Sequence, residues 1–226
     1  MKKVFIVLAT MLICLAQKTA SAADFSPVVS SWLRNQTNLQ TWSADFVQTR
    51  ALKSLTQPLI STGQVWFAAP NRFRWELGRP AQTIALRQPE QMLVIYPKLK
   101  RVEKYPLSGT QVGPWRDALA LLEAGFPRNQ AELESRFNLQ STEINGGVCE
   151  IKLQPKSSAA RRMMSQIKIA FGTNDFLLHS TELQFADGST MRNDFKNPRL
   201  NEKLNEALFS PQIASDFKTV EPMKKP

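Results

Sequence analysis

The chain has 226 residues, 42% of them apolar and 9% aromatic, with 29 Lys+Arg against 19 Asp+Glu and a single histidine. This balance belongs to a folded protein and excludes a disordered one. One imidazole also excludes a multi-histidine metal site.

Lys2 and Lys3 precede an apolar run from Val4 to Ala16, broken only by Thr10, and Ala20-Ser21-Ala22 follows. At 13 residues the run is too short for a spanning helix, which needs about 20. It reads as an export signal over residues 1–22, with small residues placed for a signal peptidase. Its removal leaves 204 residues, 23–226, with a net charge of +7. Cys14 lies inside the run behind Ile13, whereas a lipidated cysteine follows a small residue at the end of such a run, so no lipid anchor is expected. Cys149 then stands alone, which excludes an intramolecular disulfide. The expectation is an exported, soluble monomer. Residues 23–226 contain no linker, charge block or repeat, and read as one domain.

In chain order, Ser26 to Asn38 suits a helix, with Val29, Trp32, Leu33 and Leu39 on roughly one stripe. Strand-like runs follow at Thr41–Leu52, Ile60–Ala68, Arg72–Leu77, Thr83–Arg87, Met92–Tyr96 and Leu99–Tyr105. In Arg72-Phe73-Arg74-Trp75-Glu76-Leu77 apolar and charged residues alternate, so Phe73, Trp75 and Leu77 share one face. Met92–Tyr96 is apolar on both faces, which leaves its phase open. Pro114 to Ala124 reads as an amphipathic helix carrying Trp115, Ala118, Leu119 and Leu122, ended by Gly125-Phe126-Pro127. The remaining runs are Phe137–Ile144, Val148–Gln154, Gln166–Phe171, Leu177–Phe185 and Thr190–Phe195. Asn145-Gly146-Gly147 and Asp187-Gly188 supply the positive φ of tight hairpins. About eleven strands make an antiparallel meander or barrel.

The chain contains no G-x-S-x-G elbow, P-loop, glycine fingerprint or C-x-x-C. His179 sits in an ordinary strand-like stretch. The enzymatic alternative is a hydrolase using two of Asp45, Glu76, Asp187 and Asp194, and no motif supports it. Neither catalytic residues nor a metal or cofactor are expected. The basic stretches, Lys98 to Lys104, Arg161-Arg162 and Lys224-Lys225, read as solvated faces or as docking points for anionic lipid or acidic protein. The export signal removes the usual context for nucleic acid.

Trp42, Phe46, Trp66, Phe67, Phe73, Trp75 and Trp115 crowd the first half of the chain. Their order carries more information than their number. Trp42-Ser-Ala-Asp-Phe46-Val-Gln48, then Gly63-Gln-Val-Trp66-Phe67-Ala-Ala-Pro70-Asn71-Arg-Phe73-Arg-Trp75-Glu76, then Leu93-Val-Ile-Tyr96-Pro97, resembles the outer-membrane lipoprotein carrier family of the LolA type. The likeness continues through Phe185-Ala-Asp187-Gly188, Phe195-Lys-Asn197 with Asn201, and Phe209-Ser-Pro211. No single element is diagnostic, but the ordered set is.

The resemblance implies a mainly β fold: an incomplete, half-open antiparallel barrel of about eleven strands with a helical lid over its apolar concave face. It implies that acyl chains of a lipoprotein, or of a related lipid, sit in that cavity between an inner-membrane releasing transporter and an outer-membrane receptor lipoprotein. The cavity positions expected on this basis are Phe46, Phe73, Trp75, Leu77, Ile84 and Leu86, with lid residues Trp115, Leu119 and Leu122. Members of the family commonly carry an arginine before the proline that leads into the third strand, where it holds the lid. This chain has Ala69 there, and a shortened Tyr96-Pro97 turn. A lipid-sensing or exporter-linked lipid-binding module of the same shape is the alternative.

Overall fold

A computed structural model of the chain describes residues 26–107, 126, 127 and 129–221. Helix α1, Pro27–Gln36, opens with Ser26 accepting a hydrogen bond from the Val29 amide, and Pro27 stands where no amide donor is needed. It buries Val29, Trp32 and Leu33. Strands β1 Thr41–Ala51, β2 Leu59–Ala68, β3 Arg72–Leu77, β4 Thr83–Arg87, β5 Gln91–Tyr96 and β6 Arg101–Pro106 form a meander. A second meander runs through β7 Phe137–Asn145, β8 Val148–Pro155, β9 Met164–Gly172, β10 Leu178–Phe185 and β11 Thr190–Leu200. Pairing of β1 with β11 joins the two, and β12, Lys218–Val220, adds a parallel edge strand beside β6.

The result is one open sheet of twelve strands with β12 and β7 at its edges, antiparallel except at β12. The eleven expected strands are all present. The twelfth was not expected, because three residues are too few to show a period. Leu99 is corrected as well: it ends a 3-10 turn, Pro97–Leu99, and points outward at 70% exposure. Two short helices, α2 Gln130–Arg136 and α3 Ser158–Met163, also went unread, since neither completes two turns. The hairpin residues behave as expected, with Gly146, Gly147 and Gly188 all at positive φ.

The sheet curls strongly. Trp75 on β3 and Leu183 on β10 line one cavity although three strands separate theirs. Four inter-strand steps would hold them about 19 Å apart on a flat sheet. One face is therefore concave, and its residues from both meanders, with those of α1, merge into a single core. The outer face of β2 to β6 is covered too. Leu204, Leu208, Phe209 and Phe217 of the C-terminal segment pack over Trp66, Ile84, Leu86, Leu93, Ile95 and Val102. Polar contacts pin that segment: Arg72 pairs with Glu206 and stacks its guanidinium 4.9 Å from the Phe209 ring, Arg74 donates to the Leu208 carbonyl at 2.8 Å, and Lys100 meets Asp216 at 2.6 Å.

Candidate apolar cavity

Alternation along β1 buries Trp42, Ala44, Phe46 and Gln48 on the concave side. Register carries that face to the neighbouring strands. Phe46 lies opposite Gly63 of β2 and Phe195 of β11, and Phe67 lies opposite Phe73. The rings form a connected lining: Phe46 to Trp75 at 4.0 Å, Phe73 to Trp75 at 5.9 Å, Trp75 to Phe195 at 6.3 Å and Phe195 to Trp42 at 5.1 Å. Gly63 makes the first contact available, because a Cβ there would meet both the Phe46 ring and the Glu76 carbonyl oxygen. Gly63→Ala is expected to cost about 1–3 kcal/mol through overpacking against backbone that cannot yield, read as a lower urea midpoint at unchanged m.

Phe126 closes this interior. Its ring stacks on Phe67 at 4.9 Å with 7° between planes and tilts against Trp42 at 4.8 Å. Below it, the cavity bounded by Trp42, Phe73, Trp75, Leu183 and Phe195 encloses about 10 Å³. That is room for one water-sized group. On its other side Phe126 borders an open groove of about 300 Å³, walled by Thr37, Leu39, Phe67, Ala69 and Pro70. Ala69 contributes only a methyl group to that wall.

Of the expected cavity positions, Phe46, Phe73, Trp75 and Leu77 belong to the concave core. Ile84 and Leu86 do not. Ile84 lies opposite Glu76 and Leu86 opposite Arg74, so both occupy the face away from Phe73 and Trp75, beneath the C-terminal segment. This corrects their assignment: alternation on β4 separates two faces without saying which is inner, and here both are covered. Trp115, Leu119 and Leu122 lie outside the described residues. Trp42, Phe67, Phe126 and Phe195 were missed as lining residues. The alternation that groups Phe46 with Trp42 could have found the first of them, and nothing in the local pattern marks Phe126.

The open phase of β5 is resolved by pairing. Met92 and Val94 share the inner face with Tyr105, while Leu93 and Ile95 pack outward. Beside them the Tyr105 hydroxyl donates to Glu103 at 2.6 Å and Arg101 reaches the other carboxylate oxygen at 2.5 Å. Burial, then that carboxylate, pushes the Tyr105 phenol well above its usual range. Cys149 is buried, and burial raises its thiol above the ordinary value, which suits a packing residue. His179 is exposed on β10. Among the described residues the four carboxylates of the hydrolase alternative share no partner: Asp45 binds Gln64, Arg79 and Asn197, Glu76 binds Arg74, Asp187 binds Ser189 and Asp194 binds Arg192. The Asn197 amide, then Gln64 and Arg79, hold the Asp45 carboxyl below the usual carboxylate range. Among the described residues no group of His, Cys, Asp and Glu could hold a metal ion.

The model of the family "Outer membrane lipoprotein carrier protein LolA" matches residues 37–212, most of the chain. The protein belongs to the LolA family. It is 27% identical over 172 residues to an outer-membrane lipoprotein carrier protein of Bordetella avium, covering 76% of each chain. A second such carrier, from Dechloromonas aromatica, is 23% identical over 172 residues, covering 76% of this chain and 77% of its own. Among solved structures, an uncharacterized conserved protein of Thermus thermophilus aligns with a TM-score of 0.49 at 10% identity, over 84% of this chain and 94% of that one. LolA proteins are carriers and not enzymes, and the open, mainly β sheet with a few short helices is the LolA-type fold. Within it, Phe46, Gly63, Phe73 and Trp75, which carried the resemblance, meet at the centre of the concave face.

Proposed function

We propose that this LolA-family protein shields the acyl chains of lipoproteins against its concave face while they cross the periplasm. The observation that carries the reading is the continuous aromatic lining, closed to about 10 Å³ by Phe126 and bordered by a ready groove of about 300 Å³. No acyl chain fits the roughly 10 Å³ left among the described residues, so loading there displaces rings, with Phe126, which borders the groove beside Ala69, the first in its path. Where Trp42, Phe73, Trp75 and Phe195 bound it, the described lining offers chains a surface with no charge to desolvate.

Energetics dictate partners. At about 0.8 kcal/mol per methylene, a chain of roughly 15 methylenes is worth about 12 kcal/mol, and three exceed the roughly 20 kcal/mol ceiling of non-covalent binding. Cargo therefore passes between cavity and membrane, or cavity and cavity, and never through water. An inner-membrane releasing transporter and an outer-membrane receptor lipoprotein are the donor and acceptor this requires, with the signal over residues 1–22 delivering the monomer to the periplasm.

Native mass spectrometry of protein purified from periplasm without detergent, followed by denaturing analysis, tests the reading. Triacylated lipoprotein in the bound fraction is the expected result. A free phospholipid or glycolipid as the sole companion would overturn lipoprotein as the cargo and favour an exporter-linked module.

A further inference from the structure

Three side chains on the concave face have no place in a purely apolar lining. Gln48 of β1 lies opposite Asn193 of β11, and Asn193 lies opposite Thr181 of β10, so they form a row across adjacent strands. Gln48 is 6% exposed and Asn193 1%. The row is directional. Gln48 Nε2 donates to Asn193 Oδ1 at 3.0 Å, and Asn193 Nδ2 donates to Thr181 Oγ1 at 3.2 Å. With its oxygen accepting from Asn193, the Thr181 hydroxyl turns its own hydrogen elsewhere, and it meets no acceptor among the described residues. Thr181 and Asn193 both line the cavity, between Trp42, Trp75 and Phe195.

Burying amides and a hydroxyl is costly, and three apolar side chains would fill the same row without that cost. A hydrocarbon ligand gains nothing from it, since a methylene accepts no hydrogen bond. The two buried amides fix the third member, so the row ends in one oriented donor inside an aromatic chamber. A carboxylate is a poor match, because among the described residues no cation lines the cavity to offset its desolvation. A neutral ester carbonyl is a good one: it accepts only, and it sits at the head of an acyl chain.

We infer that Thr181, held by Asn193 and Gln48, donates a hydrogen bond to the ester carbonyl of an acylglycerol group in the cavity, so that the site selects acyl esters over plain alkyl chains. The inference rests on the carrier reading and names the ligand chemistry at the same site.

The test uses delipidated full-length protein and two probes that differ by the carbonyl alone, 1-palmitoylglycerol and its ether analogue 1-hexadecylglycerol. Wild type is expected to bind the ester about fivefold more tightly, the worth of one neutral hydrogen bond. Thr181→Val removes the donor and is expected to bring the ester and ether affinities together, whereas Thr181→Ser retains the difference. Equal affinities in wild type, or a preference that survives in Thr181→Val, would overturn the inference and leave the carrier reading standing. Failure of both probes to bind wild type would overturn both. A triacylated cysteinyl peptide and a dipalmitoyl phospholipid, which both carry the ester, then compete against 1-palmitoylglycerol in separate arms. Competition by either that weakens in Thr181→Val supports the assignment and identifies the source of the ester; competition by neither overturns it.

Discussion

Trp75→Glu is expected to weaken binding of 1-palmitoylglycerol by about 10- to 100-fold, the equivalent of the roughly 1.5–3 kcal/mol that one large apolar side chain contributes on burial. Trp75 is the hub of the lining, in contact with Phe46, Phe73 and Phe195. It is only partly buried, so the substituted chain retains a route to solvent and the sheet can form around it. A carboxyl in that setting is harder to ionise than in water, so its pKa rises. Binding should therefore recover partly as pH falls from 8 to 5, because the neutral acid is less hostile to an acyl chain. Ile84→Glu is the matched control. It lies one strand away on the opposite face, under the C-terminal segment, and should change probe affinity less than about twofold while lowering stability. Equal losses from both variants, with near-UV circular dichroism unchanged, would mean that the concave face is not the binding surface.

The contrast between those two positions also shows how far the sequence can be read. On β3 one face alternates charged, so Phe73, Trp75 and Leu77 announce a shared apolar side. Arg72 and Arg74 on the other side are spent on Glu206, Glu76 and the Leu208 carbonyl, where they face the C-terminal segment. On β4 and β5 the same rule loses its power, because residues 204–217 cover the outer face and allow it to be apolar as well. Ile84 and Leu86 look like cavity residues for that reason alone. The covering segment is itself invisible to pattern analysis, since its four apolar side chains are spaced by irregular backbone and a single 3-10 turn, Glu206–Phe209. Phe126 presents the same difficulty in smaller form. Its role comes from stacking on Phe67, a residue on a strand far away in the chain, and periodicity carries no information about such a contact. The Gln48–Asn193–Thr181 row was hidden differently: each member is an ordinary polar residue in its own strand, and only the pairing of β1, β11 and β10 brings them into line.

Trp32→Ala is expected to destabilise the protein by about 3–5 kcal/mol, a large share of the 5–15 kcal/mol that holds a typical domain together. Trp32 is fully buried and stacks on Phe171 of β9 with ring centres 4.6 Å apart and 8° between planes. Alanine would leave the ring's volume empty between α1 and the sheet, and of the buried side chains of α1 only Val29 and Leu33 would remain to hold it. The indole Nε1 finds no acceptor among the described residues, so the residue serves through its area and its polar atom is a liability. Trp32→Phe should accordingly lose less than about 1.5 kcal/mol, because the shed area is offset by relief of the unpaired N–H. Urea midpoints of the three proteins decide the point. Phenylalanine falling as far as alanine would show that stacking on Phe171 is not what fastens the helix. The consequence reaches the cavity, because Thr37 and Leu39, at the end of α1 and just beyond it, wall the groove that Phe126 borders. Loosening α1 widens that groove, and Trp32→Ala should bind an environment-sensitive apolar dye more strongly than wild type in native buffer, before any unfolding is seen.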